Sequence, residues 1–117
     1  MKLECNLFPM PELRLYHSRK KCARALGELN CVTDFKETDA QMWLVDGVAV
    51  VLIEGNADWH AEAALLAHEA VHVADEWLAA LGEDSPGAEE RAYMVQCIAE
   101  PLFRAHEKWK REHGRGA

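Results

Sequence analysis

The chain is poor in the features that mark several protein classes. Cysteine occurs four times, at positions 5, 22, 31 and 97, and no two form a Cys-x-x-Cys pair. A zinc finger built on paired thiolates is therefore not expected. Basic residues number 13 against 20 acidic ones, a formal charge of −7 at pH 7. That balance argues against nucleic acid as a partner. Trp43, Trp59, Trp77 and Trp109 form no spaced basic–aromatic stripe, so stacking on single strands has no support either. No run of about 18 apolar residues exists, so no membrane span is expected. The opening Met-Lys-Leu-Glu-Cys-Asn contains no long apolar segment, so no secretory signal is expected. A cytoplasmic setting follows, with reduced thiols that serve as buried core residues. Internal repeats, low-complexity linkers, a Gly-rich phosphate loop and a Gly-x-Ser-x-Gly elbow are all missing.

What is present suits one small domain spanning residues 1–117, half of it hydrophobic and able to form a modest core. Residues 2–8 read as a short strand, and Pro9 and Pro11 interrupt the chain after it. Residues 12–29 read as a helix of moderate periodicity. Arg14, Arg19, Lys20, Lys21 and Arg24 would give it a basic, solvated face. Met42–Val45 and Val48–Ile53 are β-rich runs joined by Asp46-Gly47, a strong hairpin signal. The second run is apolar throughout, so both of its faces should be covered. From Asp58 to Leu81 there is no Gly or Pro, and a long helix is expected, capped by Asn56 or Asp58 with Glu62 in its first turn. Ser85-Pro86 opens a last helix reaching His113, interrupted by Pro101, with residues 114–117 fraying. The fold class is α+β: a small antiparallel sheet with a β hairpin, packed on a long helix and a C-terminal helix.

The long helix contains His68-Glu69-Ala70-Val71-His72. Residues four apart on a helix lie one above the other, so two imidazoles at this spacing can share one metal ion. Glu69 stands about 100° round the helix from His68, at the edge of that face. It can reach a water on the ion without taking a ligand position, which is why His-Glu-x-x-His recurs in zinc hydrolases. His and carboxylate ligands favour Zn²⁺, although Mn²⁺, Co²⁺ or Ni²⁺ can occupy the same cage. A catalytic zinc usually has three protein ligands, so a third must come from elsewhere. Asp75 is three residues past His72 and is a candidate partner for an imidazole. His60, two turns before His68, is a secondary candidate. His17, His106 and His113 have no informative spacing, and the cations of 104–115 read as a solvated helix end.

Downstream, Glu89-Glu90-Arg91-Ala92-Tyr93 follows the motif by a short helix–loop–helix span. With this Glu-x-x-Ala segment the chain resembles the gluzincin group of zinc metallopeptidases. More narrowly, over residues 32–103, it resembles small zincin-like proteins encoded by phages and prophages. The resemblance implies Glu89 as third zinc ligand, with Glu90, Asp75, Glu76 and Cys97 as alternatives, and Tyr93 as a group that stabilises the oxyanion. Packing in the core is the competing role for Tyr93. A strict antiparallel helix pair would place Gln96 or Cys97, not Glu89, level with the metal.

The implied function is zinc-dependent hydrolysis of peptide bonds in a peptide or protein substrate, with Glu69 as general base. An edge strand within 42–53 would align the substrate by strand addition. A chain this short lacks a second wall for the cleft, which leaves a second class open: a noncatalytic, zinc-stabilised interaction module of the same fold.

Overall fold

The computed structural model describes residues 9–31, 34–54, 58–83 and 85–113. The strand expected at residues 2–8, the fraying at 114–117 and the Asn56 cap lie outside these. The first described element is a strand, β1, Glu12–Tyr16. Its sequence Glu-Leu-Arg-Leu-Tyr alternates: Leu13 and Leu15 pack on the main core, while Glu12 and Arg14 pair at the surface at 2.6 Å. A helix, α1, begins only at Arg19 and runs to Glu28, capped by Ser18, whose Oγ accepts from the Lys21 N–H at 3.3 Å. The helix expected over 12–29 is thus a strand and a shorter helix. The two-residue period of the leucines won over a weak helical period, and Ser18 marks the true helix start.

Strands β2 (Ala40–Val45) and β3 (Val48–Ile53) form the expected hairpin. Asp46 at φ 49° and Gly47 at φ 79° make its tight turn, which requires positive φ at both positions. The strand order is β1-β3-β2, with β1 parallel to β3. The sheet is therefore mixed rather than antiparallel throughout, because α1 provides the crossover that parallel strands need. All of β3 is buried. Ala49, Val51 and Ile53 face the main core, while Val48, Val50 and Leu52 face a smaller one with Cys22 and Leu26 of α1. That leaves β2 as an edge strand.

Two long helices cover the main-core face. The first, α2, spans Trp59–Ala80 and is capped by Asp58, which accepts from the Ala61 N–H at 2.9 Å. It ends where Gly82 adopts φ 88° and the Glu83 N–H reaches the Leu78 carbonyl at 2.9 Å. This is the left-handed stop that glycine permits. The second, α3, spans Ala88–His113 with Pro101 inside it. Its register against α2 is tied at both ends. Arg91 grips Asp75 through two bonds of 2.7 and 3.0 Å, holding the Asp75 carboxyl below its ordinary pKa. At the other end His106 donates to Glu62 at 3.1 Å, and Lys110 pairs with the same carboxylate. Among the described residues, no helix is long and apolar enough to cross a membrane.

The second tie belongs to a larger network. A carboxylate only accepts, so Nε2 of His106 carries the proton toward Glu62, and its Nδ1 shares a hydrogen bond of 2.9 Å with His17 Nε2. His17 also stacks on Trp109, with ring centres 3.8 Å apart. Burial foremost, then the charges of His106 and His113, lower the His17 pKa to about 4 against the opposing pull of Glu62. The unfolded chain binds a proton on this ring near pH 6.5, while the folded chain resists until about pH 4. Stability is therefore expected to fall as pH drops from 6.5 towards 4. Glu62 acts lower. Burial pushes its carboxyl up, bonds from Lys110 and His106 outweigh that, and its stabilisation is lost only as pH falls below its unfolded value of 4.5. Urea midpoints measured between pH 7 and 5 should decline in the wild type and stay flatter in His17→Gln.

Candidate metal centre

The buried residues of α2 are Glu62, Leu66, Glu69, Ala70, Val73, Ala74 and Leu78, one stripe at helical spacing. His68 and His72 flank that stripe on the exposed side. Their Nε2 atoms stand 3.1 Å apart, with ring planes at 70°. Two nitrogen ligands of a tetrahedral zinc, each about 2.0–2.1 Å from the ion, are separated by roughly 3.3 Å. The pair therefore fits two corners of such a site. Glu69 lies beside it, only 6% exposed. Burial raises its carboxyl pKa, and the charges of His68 and His72 pull it back.

These three residues open onto a cleft between α2 and the edge strand β2. A chamber of about 380 Å³ holds His72 and Glu76 on the helix side and Lys36, Gln41 and Met42 on the other. A second, of about 500 Å³, extends towards the start of α2, lined by Ala61, Ala64 and Leu65. Thr38, Ala40, His68 and Glu69 border both chambers, so the imidazoles sit where the two meet.

No protein family, curated protein or solved structure matches the chain. The site is accordingly read from its own geometry.

Of the five residues singled out by motif and resemblance, the structure brings three together. Glu89 and Tyr93 do not line the cleft. The Asp75–Arg91 and Glu62–His106 ties explain why. Stepping one residue for one from either tie sets His72 level with residues 94–96 of α3, and Glu89 level with 77–79 of α2. Glu89 thus lies roughly 8–10 Å along the axis from His72, towards the interhelical turn, and it is exposed. Tyr93 is half-buried at the level of residues 73–75. Of the alternatives, Glu76 lines the cleft beside His72, and the others stand elsewhere. Asp75 holds Arg91, Glu90 accepts from the Gly87 N–H at 3.4 Å, Cys97 is buried in the core and His60 is exposed near the start of α2. Among the described residues, no three His, Cys, Asp or Glu side chains are placed to share one ion.

The far side of the cleft is built by residues that the sequence did not announce. Lys36 and Thr38 come from the loop before β2, and Gln41 from β2 itself. The loop is held from within. Gln41 Oε1 accepts from the Lys36 N–H and Gln41 Nε2 donates to the Asp34 carbonyl, both at 3.0 Å. Arg19, ion-paired with Glu54 and set 5.4 Å over the Phe35 ring, donates to the Lys36 carbonyl at 3.1 Å. Glu76 had a signal, one turn beyond His72 on the same helix. Lys36 and Thr38 had none, because only the hairpin's position against α2 brings them to the site.

Proposed function

We propose that this protein is a zinc-dependent peptidase of zincin-like design, encoded by a phage or prophage and acting in a bacterial cytoplasm. One observation carries the chemistry: two imidazole nitrogens 3.1 Å apart, beside a buried carboxylate, at the junction of two chambers of an open cleft. The short motifs and their resemblance to gluzincins support the cellular setting and the substrate class. His68 and His72 would hold the ion through Nε2. Bound Zn²⁺ supplies Lewis acidity towards the scissile carbonyl and lowers the pKa of water. Glu69 accepts the proton of the attacking water on its carboxylate and returns it to the departing amine. The edge of β2, which no described strand covers, pairs with the backbone of an extended substrate. Ala61, Ala64 and Leu65 offer its apolar side chains a place next to His68.

The expected result is about one equivalent of zinc in protein purified without chelators, and cleavage of an unstructured protein or a mixed peptide library by the loaded form. His68→Ala should lose both, with zinc affinity down at least a hundredfold, since a single imidazole remains. Glu89→Ala should bind zinc within about twofold of wild type, because α3 carries that residue away from the pair. Isothermal titration with Zn²⁺ checks both variants. Absence of zinc from the wild type at micromolar concentrations would refute the reading.

The absence of a third donor beside the imidazoles, among the described residues, favours one alternative. This is a zinc-stabilised module that binds an extended peptide along β2 without cutting it. Zinc binding with no turnover of any library member would select it.

A further inference from the structure

We infer that Lys36 is a carboxylate receptor, and that the cleft selects peptides bearing an acidic group on the His72 side of the scissile bond. The inference rests on the peptide-binding role proposed for the cleft, and it names the substrate class.

Among the described residues, Lys36 is the one cation lining either chamber. Among the described residues no carboxylate pairs with it, although acidic residues outnumber basic ones by 20 to 13 in the whole chain. Every other arrangement around it is fixed. Its N–H is held by Gln41, its carbonyl by Arg19, and the carbonyl of Asp34 by the same Gln41. Such bonds fix the backbone from which the lysine projects, so that binding an anion has only the side chain left to order. The backbone of this residue is positioned, and among the described residues no carboxylate occupies its ammonium.

The position defines which part of a substrate it meets. Thr38 and Ala40 share both chambers with His68 and Glu69, and so stand at the level of the reacting bond. Lys36, Gln41 and Met42 belong only to the chamber that contains His72 and Glu76. A peptide lying along β2 therefore passes Lys36 on the His72 side of the bond to be cut, away from Ala61, Ala64 and Leu65. The two chambers differ in character: one has Ala61, Ala64 and Leu65 on the helix side and the carboxylate of Asp39 on the strand side, the other a cation on the strand side and Glu76 on the helix side. Glu76 disfavours an anion placed against the helix and leaves Lys36 as its attractive partner. The carboxylate can belong to an Asp or Glu side chain or to the substrate's own C-terminus. Both present the same two oxygens to an ammonium.

The test uses the full chain loaded with Zn²⁺ and three peptide sets with one common core. One carries internal Glu and an amidated end, one carries Gln at that position and an amidated end, and one carries Gln with a free C-terminal carboxylate. Wild type should prefer the first or the third over the second by about tenfold in kcat/KM, the usual scale of one partly exposed charged hydrogen bond. Whichever of the two is preferred identifies the source of the carboxylate. In Lys36→Met the preference should shrink to about twofold or less, and in Lys36→Glu it should reverse towards a Lys-containing peptide. An unchanged ratio in both variants overturns the inference. If no peptide is cleaved, the peptidase reading fails separately, and anisotropy titration of the same three peptides, fluorescently labelled, decides this one. Binding tightened by a carboxylate and dependent on Lys36 sustains it, and binding indifferent to Lys36, or none, overturns it.

Discussion

Glu69→Gln is expected to lower kcat/KM for peptide cleavage by about a thousandfold, within the roughly 10²–10⁴ range that a positioned general base contributes, while zinc stoichiometry stays at the wild-type value. The reasoning is steric first. Glutamine matches glutamate in volume, and at 6% exposure the site should keep its packing. An amide cannot accept the proton of an attacking water, so only this function is removed. His68 and His72 are untouched, and their separation is set by the helical turn between them rather than by the intervening carboxylate. The substitution also removes a charge whose burial is unfavourable, so thermal stability should be equal or slightly higher. The measurement is a steady-state assay on zinc-loaded wild type and variant at equal metal content. Equal rates in the two proteins would show that some other group moves the proton, or that the cleavage comes from elsewhere. Loss of zinc along with activity would instead make Glu69 part of the metal cage.

Much of the scaffold was legible because its signals are local. Asp46-Gly47 determines its own turn, Asp58 caps its own helix, and the uninterrupted run from residue 59 to 80 has no alternative to a helix. The imidazole pair is of the same kind, since four residues on one helix determine its spacing. What was not legible depends on distant partners. Leu13 and Leu15 have few enough companions that the local pattern admits a helix, and pairing with β3 decides for a strand. Parallel pairing in the sheet likewise follows from a crossover, which no dipeptide reports. The distance of Glu89 from the imidazoles is a matter of register. A short motif carries no information on how far one helix slides along another, and here the ties at Asp75 and Glu62 set that distance. Lys110, expected in a solvated helix end, and His106, which had no informative spacing, supply one of the ties because α2 presents Glu62 on its buried stripe.

Glu62→Met should in turn cost about 1–3 kcal/mol of folding stability, the usual penalty for leaving a buried hydrogen-bonding group without its partner. Glu62 is 4% exposed and His106 1% exposed, so neither ring nor carboxylate can turn to water for a replacement partner. Without the carboxylate the Nε2–H of His106 is left buried and unpaired, or the ring changes tautomer and its bond with His17 must rearrange. Lys110, partly exposed, regains water and contributes less to the loss. The double variant Glu62→Met/His106→Leu should be less damaged than the single one, because removing both polar partners removes the unmet hydrogen bond as well. Urea unfolding of the three proteins at pH 7 measures this. A single-variant loss below about 1 kcal/mol would mean that the network is not a structural lock. The same experiment separates the lock from the metal site. Glu62 and His68 lie on different faces of α2, and the imidazole pair is determined within one helical turn. The destabilised variant should therefore still bind zinc while folded, and zinc at a hundred times its dissociation constant should restore about 2.7 kcal/mol by mass action. Rescue of that size would place the metal pair and the Glu62 network in independent parts of the fold, one serving the cleft and the other holding the two helices in the register that shapes it.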